Sequence, residues 1–348
     1  MTTHTVRIAL SGLGNLGRRF VQLISDKGAE LRERYELDLI IVGAADSRGA
    51  AYDPRGLDPN LILRTKESAG TVGDYAAVGR SGMTSLDLVH AVDADIWCEA
   101  TPVNLAEGAE PAISCIRAAM AKGMHVVTPN KGPIVLFYQE LAQLAAENGV
   151  SLRFGGTVAG GLPALYIGVR DLRGARIDRI DAIPNLVTGF ILDLIGNGTT
   201  WDEAISLAKR EGVLEADPAW DLDGWDAAAK LVILTNAVLG FPAHLEDVDR
   251  TGIVGISPQD IRSEVERGRR MRLLSTAIRN DSGYSLTVGP HALPSDHPLG
   301  RLGPKEMGIT YYTDIYGTIT AIIREETPLP SAATILRDII DIMLGTNS

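Results

Sequence analysis

The stretch Thr5-Val-Arg-Ile-Ala-Leu-Ser11-Gly12-Leu13-Gly14-Asn15-Leu16-Gly17-Arg-Arg-Phe20-Val-Gln-Leu-Ile24 decides the fold. It joins a short apolar run, a G-x-G-x-x-G turn and the opening of an amphipathic helix. The glycine spacing alone is a weak signal, and the strand before it and helix after it give it meaning. In that setting Gly12 makes the tight turn, Gly14 admits a pyrophosphate to the backbone, and Gly17 lets helix and strand approach. The helix amino terminus then offers unpaired N–H groups and a positive dipole end to phosphates. A purely structural glycine turn is the alternative.

Working outward, Arg18 to Tyr35 has helical periodicity and Leu37 to Ala45 reads as a second strand ending at Asp46. Ser47 to Gly82, rich in Gly, Asp and Pro, reads as an irregular insertion with at most one short helix over Asn60 to Lys66. Strand, helix, strand and helix follow at Asp95–Ala100, Glu110–Lys122, Met124–Thr128 and Ile134–Asn148, with a further strand at Val150–Phe154. The alternation predicts an α/β chain built on a doubly wound parallel sheet of Rossmann type. Gly155-Gly-Thr-Val-Ala-Gly-Gly-Leu-Pro163 breaks the pattern. We therefore expect a dinucleotide-binding domain over 1–156 and a second α+β domain over 157–330 for substrate binding and dimerisation. The last helix, 331–348, is expected to pack back on the first domain. Beyond the hinge, helices are predicted at Trp201–Arg210, Asp223–Leu239 and Ser331–Met343, with strand signals between Ser285 and Ala321.

The 348 residues carry a formal net charge of -11, which repels polyanions and argues for a small-molecule partner rather than nucleic acid. No apolar run approaches the ~20 residues that span a bilayer, and the start shows no signal sequence, so a cytoplasmic protein is expected. Cys98 and Cys115 lie in apolar surroundings and read as reduced core residues.

Asp46, at the end of the second strand, is placed to accept hydrogen bonds from an adenosine ribose, which favours NAD slightly. Arg48, with help from Lys66, is an alternative holder for the 2′-phosphate of NADP. Lys131 follows the end of a parallel strand, at the sheet edge where ligands collect. In the second half, Asp226 and Lys230 stand four apart on a helix that is otherwise apolar nearly all round, with Asp223 as its expected N-cap. They project from one face and can meet. A buried ion pair adds little reliable stability, so a proton-transfer role is the more economical reading. Glu215, Asp217 and Asp221 precede that helix and suit a substrate ammonium group. No histidine or cysteine accompanies them to make a metal site, the six histidines lack zinc spacing, and no nucleophile elbow is present.

These residues resemble the homoserine dehydrogenase family, especially short forms without a regulatory domain. The resemblance runs through Gly12 to Gly17, Ala45-Asp-Ser47, Lys66-Glu-Ser68, Glu99-Ala-Thr-Pro-Val-Asn104, Thr128-Pro-Asn-Lys131, Gly155 to Pro163 and Gly212 to Leu234. It implies Lys131 and Lys230 as catalytic lysines, Asp226 as the support of Lys230, and Glu215 and Asp221 as ligands of the amino-acid end of the substrate. It places Thr101 and Pro102 beside the cofactor with Gly12, Leu13, Gly14, Asn15, Leu16 and Gly17. It further implies interconversion of L-aspartate 4-semialdehyde and L-homoserine with NAD(P)H, a homodimer joined through the second domain, and a sodium ion on the backbone carbonyls of Val158 and Gly160. Three stretches depart from the family pattern. Leu186 and Val187 stand where small and hydroxyl residues are usual in the first strand of the second domain. Ile322 to Pro330 replaces a glycine-rich loop, and Gly155-Gly156 replaces Glu-Ala. A dehydrogenase for another small hydroxy acid, semialdehyde or keto acid, or a nucleotide-binding protein without turnover, are the competing readings.

Overall fold

The computed structural model describes residues 3–214 and 218–345. Two compact units account for it, one of 1–161 with 327–348 and the other of 162–326. In the first, strand β1 (His4–Ser11) buries Val6, Ile8 and Leu10 completely. Helix α1 (Asn15–Tyr35) lays Phe20, Val21, Ile24 and Leu31 into the same core and stops at Glu36 in a left-handed turn. Then come β2 (Leu37–Asp46), β3 (Gly49–Tyr52), α2 (Pro59–Ala69), β4 (Gly79–Ser81) and α3 (Ser85–Ala91). The unit continues with β5 (Ile96–Glu99), α4 (Ala112–Ala121), β6 (His125–Val127), α5 (Lys131–Glu147) and β7 (Leu152–Arg153).

The sheet order is β4-β3-β2-β1-β5-β6-β7, parallel from β2 to β7. Its order reverses beside β1, and an open sheet of this kind takes ligands outside the carboxyl ends of its strands at such a switch point. The Rossmann-type expectation is met. The stretch 47–82 is not irregular, however: β3 pairs antiparallel with β2, β4 pairs antiparallel with β3, and α2 begins on Asp58, whose carboxylate accepts from the Asn60 amide. The reason lies in Gly49, where a Cβ would stand 2.7 Å from both the Arg80 carbonyl and the Gly73 backbone. Small residues that look like loop composition are here what lets two strands cross closely.

In the second unit, a short helical segment α6 (Ala164–Tyr166) leads to β8 (Ile177–Ile183), α7 (Leu186–Gly196), α8 (Trp201–Arg210), α9 (Ala219–Leu222) and α10 (Trp225–Ala237). After β9 (Val248–Arg250) and α11 (Pro258–Glu266) come four strands, β10 (Arg269–Asn280), β11 (Gly283–Pro294), β12 (Glu306–Thr313) and β13 (Gly317–Arg324). The sheet runs β13-β12-β8-β10-β11-β9 and is antiparallel except for β11 with β9. The start of α10 packs over Val288 and Leu273 on one face. The opposite face carries Arg179, Asp181, Thr276, Thr310 and Tyr312, which stand at paired register positions. Helix α12 (Leu329–Met343) belongs to the first unit, where Ile335 and Ile339 join the core built on β1 and α1.

Candidate functional site

The first unit gathers its candidate residues at the carboxyl edge of the parallel sheet. Gly12 has φ +95°, and a Cβ there would lie 2.3 Å from the Ala100 carbonyl oxygen. One on Gly17 would lie 1.9 Å from the Gly12 carbonyl. Both glycines are therefore required by the fold. Gly14 differs: a Cβ would meet nothing within 4 Å, and as the N-cap of α1 it supplies no side-chain acceptor to the amides of Asn15, Leu16 and Gly17. An open approach onto uncapped helix N–H groups suits a pyrophosphate, so the turn fits a dinucleotide. Leu13 is buried beneath it.

Asp46 is engaged otherwise than its sequence position suggests. Its carboxylate accepts from the Arg48 amide (2.9 Å), the Thr71 hydroxyl (2.9 Å), the Val72 amide (2.8 Å) and Lys66 Nζ (2.8 Å). Burial pushes its pKa up, but Lys66 and the three hydrogen bonds outweigh it and hold the group below the usual carboxylate range. With about four lone-pair positions on a carboxylate, these donors leave little for a ribose. Arg48 is exposed, and its guanidinium rests on the Ala69 carbonyl at 2.7 Å.

Two loops are laced together farther along the same edge. The Glu99 carboxylate, fully buried at the end of β5, accepts from the Thr101 amide and hydroxyl and from Trp97 Nε1. Asn130 Nδ2 donates to the Thr101 carbonyl (3.1 Å) and the Pro102 carbonyl (3.3 Å), while its Oδ1 caps α5 through the Gly132 amide. Thr101 and Pro102 are thus fixed relative to Lys131, the first residue of α5. Sequence reasoning passed over Glu99 and Asn130 as site residues. A polar residue just before a helix was the available signal for Asn130.

Near the unit boundary, Ala159 (φ +54°) and Gly160 (φ +56°) are successive left-handed residues. Among the described residues, neither the Val158 nor the Gly160 carbonyl accepts a backbone hydrogen bond in this loop. Oxygen donors of this kind fit a monovalent cation.

In the second unit, Lys230 Nζ lies 2.8 Å from Asp226 Oδ2 and 2.7 Å from the Pro184 carbonyl, with the lysine side chain 13 % exposed and the aspartate 5 %. The expected i,i+4 pair is formed on a helix buried from Asp226 to Asn236 except at Lys230 itself. Asn185 joins them: its Nδ2 lies 2.6 Å from Asp226 Oδ2 and 2.6 Å from Asp221 Oδ1. Asp221, Asp226 and Lys230 therefore form one cluster, and Glu215 and Asp217 lie outside the described residues. The N-cap of α10 is Gly224, not Asp223, because φ +83° there turns the chain into the helix without a side-chain cap. Leu186 and Val187 do not lie in a strand. They open α7, where Asn185 Oδ1 accepts from the Val187 amide at 2.7 Å.

Among the described residues no group of histidine, cysteine, aspartate or glutamate could hold a metal ion, and no helix is long and apolar enough to cross a membrane. Cys98 and Cys115 are free and buried, and burial pushes both thiols up.

The chain is similar to known dehydrogenases. The homoserine dehydrogenase family profile matches residues 163–340, and the glutamate/leucine/phenylalanine/valine dehydrogenase profile matches 1–117. A homoserine dehydrogenase of Methanocaldococcus jannaschii is 35% identical over 340 residues, covering 97% of this chain and 99% of that protein. An NAD(+)-dependent homoserine dehydrogenase of Pseudomonas canavaninivorans is 33% identical over 97% of this chain and 96% of its own. Among solved structures, a hyperthermophilic archaeal homoserine dehydrogenase in complex with NADPH superposes with TM-score 0.85 at 29% identity, covering 98% of each chain.

Proposed function

Because the chain belongs to the homoserine dehydrogenase family, we propose that Lys230, oriented by Asp226, moves the proton on the substrate oxygen while Lys131 supplies a second ammonium group. The protein is an NAD(P)-dependent oxidoreductase that interconverts L-homoserine and L-aspartate 4-semialdehyde. The bound nicotinamide supplies hydride chemistry, and the protein's part is to orient and to handle the proton. The observation that carries the reading is the Lys230 amine: Asp226 and the Pro184 carbonyl fix two of its N–H directions, and tetrahedral geometry then fixes the third. Asp221, with Glu215 six residues before it, supplies negative charge for the substrate ammonium group. The carbonyls of Val158 and Gly160 are the proposed ligands of a sodium ion.

Gly12 to Gly17 would hold the pyrophosphate, and Thr101 and Pro102 would border the nicotinamide end. At the adenosine end the saturation of Asp46 by its own chain removes the basis for a lean to NAD. The exposed Arg48 guanidinium suits a 2′-phosphate. Arg48→Ala is expected to raise KM for NADP about tenfold, the worth of one charge-assisted hydrogen bond, and to leave KM for NAD within about twofold. Equal effects on both would remove Arg48 from phosphate recognition.

We place the protein in the cytoplasm, in keeping with two free buried thiols, as a homodimer formed through the second unit. The test of the function is NAD(P)-linked oxidation of L-homoserine, followed by nicotinamide absorbance beside a panel of other small hydroxy acids. Lys230→Ala and Lys131→Ala should each lower kcat by about 10²- to 10⁴-fold with cofactor binding retained. Unchanged kcat in both variants would overturn the assignment, and faster turnover of another hydroxy acid would move the substrate.

A further inference from the structure

Asn185 touches none of the groups assigned above as proton carriers except through hydrogen bonds from its side-chain amide, and those bonds follow from a constraint elsewhere in the fold. Its Oδ1 accepts from the Val187 amide at 2.7 Å and the Thr188 amide at 3.4 Å, closing the amino terminus of α7. The backbone thereby fixes which way the amide faces, since a flipped side chain would set NH₂ against N–H donors. Both N–H bonds must then point the other way. There they meet Asp221 Oδ1 and Asp226 Oδ2, each at 2.6 Å, and the second of these oxygens is also the acceptor of Lys230. The residue before Asn185 is Pro184, whose carbonyl takes the other bond from Lys230. The junction of β8 and α7 therefore holds Lys230 from two sides, once through a backbone oxygen and once through Asp226.

We propose that Asn185 is a positioning residue, which uses a helix cap to aim one amide at two carboxylates and so sets the spacing between the proton-carrying pair Asp226/Lys230 and the substrate-facing Asp221. The inference rests on the function proposed above. A neutral donor is needed here for an electrostatic reason. Two carboxylates that share one site repel, and one of them tends to hold a proton unless donors bind both. Asn185 binds both without adding charge. Among the described residues, the charged groups it meets are Asp221 in α9, Asp226 in α10 and, through Asp226, Lys230.

The capping and positioning roles separate by substitution. Serine caps helices about as well as asparagine, so Asn185→Ser should fold with a melting temperature within a few degrees of the parent, whereas Asn185→Asp keeps a cap but should melt lower because of the charge it adds. Serine is too short to reach Asp221 and Asp226, and a displacement of about 1 Å can lower turnover about 10²-fold. Asn185→Ser should therefore lower kcat by about 10- to 100-fold and leave KM for the cofactor unchanged. Asn185→Asp puts a third carboxylate against the other two. It should lower kcat further and shift the acidic limb of the kcat/KM profile to higher pH by about one unit or more.

A second measurement does not depend on turnover. The pH dependence of Lys230 acylation, read by mass spectrometry on the intact protein, should move in both variants, because Asp226, the partner of the lysine, loses the hydrogen bond from Asn185. Wild-type kcat and an unaltered Lys230 labelling curve in Asn185→Ser would overturn the inference. So would a fall in activity that only tracks the folded fraction, with the pH profile unmoved. If the parent protein does not oxidise homoserine at all, the proposed function fails instead, and the labelling curves still decide the role of Asn185.

Discussion

The Glu99 carboxyl is a buried acid held by the neutral donors of Trp97 and Thr101. Burial pushes its pKa up from 4.5 to about 7, against the opposing hydrogen bonds from Thr101, Trp97 and Ser11. The folded protein thus keeps a proton that the unfolded chain has already lost between about pH 4.5 and 7. Stability should fall as pH rises through that window and level off above it, by roughly 3 kcal/mol for a shift of this size. Glu99→Gln keeps the acceptor for Thr101 and removes the titration, so the difference between parent and variant in urea unfolding should change between pH 5 and pH 8. Parallel stabilities across that range would show that Glu99 does not titrate there. The contrast with Asp226 explains what sequence reasoning can reach. Asp226 and Lys230 were legible because helical spacing in an apolar segment brings them together locally. Glu99 takes donors from its near neighbours Trp97 and Thr101, but its burial and the Ser11 contact come from the neighbouring strand, and the partners Lys66, Thr71 and Val72 of Asp46 all lie 20 or more residues away. Partners set by tertiary folding leave no periodic mark.

Helix α7 is secured at both ends by polar contacts. Asn185 caps its start, and near its end Asp193 receives both arms of Arg272, at 2.8 and 3.0 Å. Arg272 is 1 % exposed and also donates to the carbonyls of Met271 and Leu302, so one guanidinium joins α7, β10 and the loop before β12. Arg272→Ala leaves the Asp193 carboxylate without that partner and should lower stability by about 3–5 kcal/mol. Arg272→Lys should recover only part of it, because an ammonium lacks the fork that serves four acceptors. A loss within about 1 kcal/mol for alanine, measured by chemical denaturation, would show the cluster to be solvated. This arginine also explains why β10 was not legible as a strand. Arg269-Arg-Met-Arg272 reads as a charged surface segment until Asp193 is placed opposite. By contrast, α8 runs over Trp201–Arg210 as expected, since Thr200 and Glu203 form a reciprocal capping box that is local in sequence.

Across the molecule, each unit closes a core of its own, and the second keeps one sheet face dressed in polar and β-branched side chains. Pairing places Ile278, Arg179, Tyr312 and Thr318 in one row across β10, β8, β12 and β13, and Thr276, Asp181, Thr310 and Thr320 in the next. Asp181 is fully buried in that face, bound by Arg179, Thr276, Tyr312 and His297. Toward its flanks, Ile278 remains 43 % exposed and Ile322 47 %. A chain with net charge -11 does not need exposed isoleucine for solubility, and a self-complementary patch repeated on a second copy would bury both residues in a two-fold interface. The parent protein is therefore expected to sediment at twice the 37.2 kDa chain mass. A paired Ile278→Glu and Ile322→Glu substitution would place like charges where apolar surface is to be buried, and should give the single-chain mass with an unchanged far-ultraviolet circular dichroism spectrum. Because both positions project into water in one copy, the variant has no reason to unfold. A parent protein that sediments as one chain, or a doubly charged variant that still sediments as two, would exclude this face as the dimer contact.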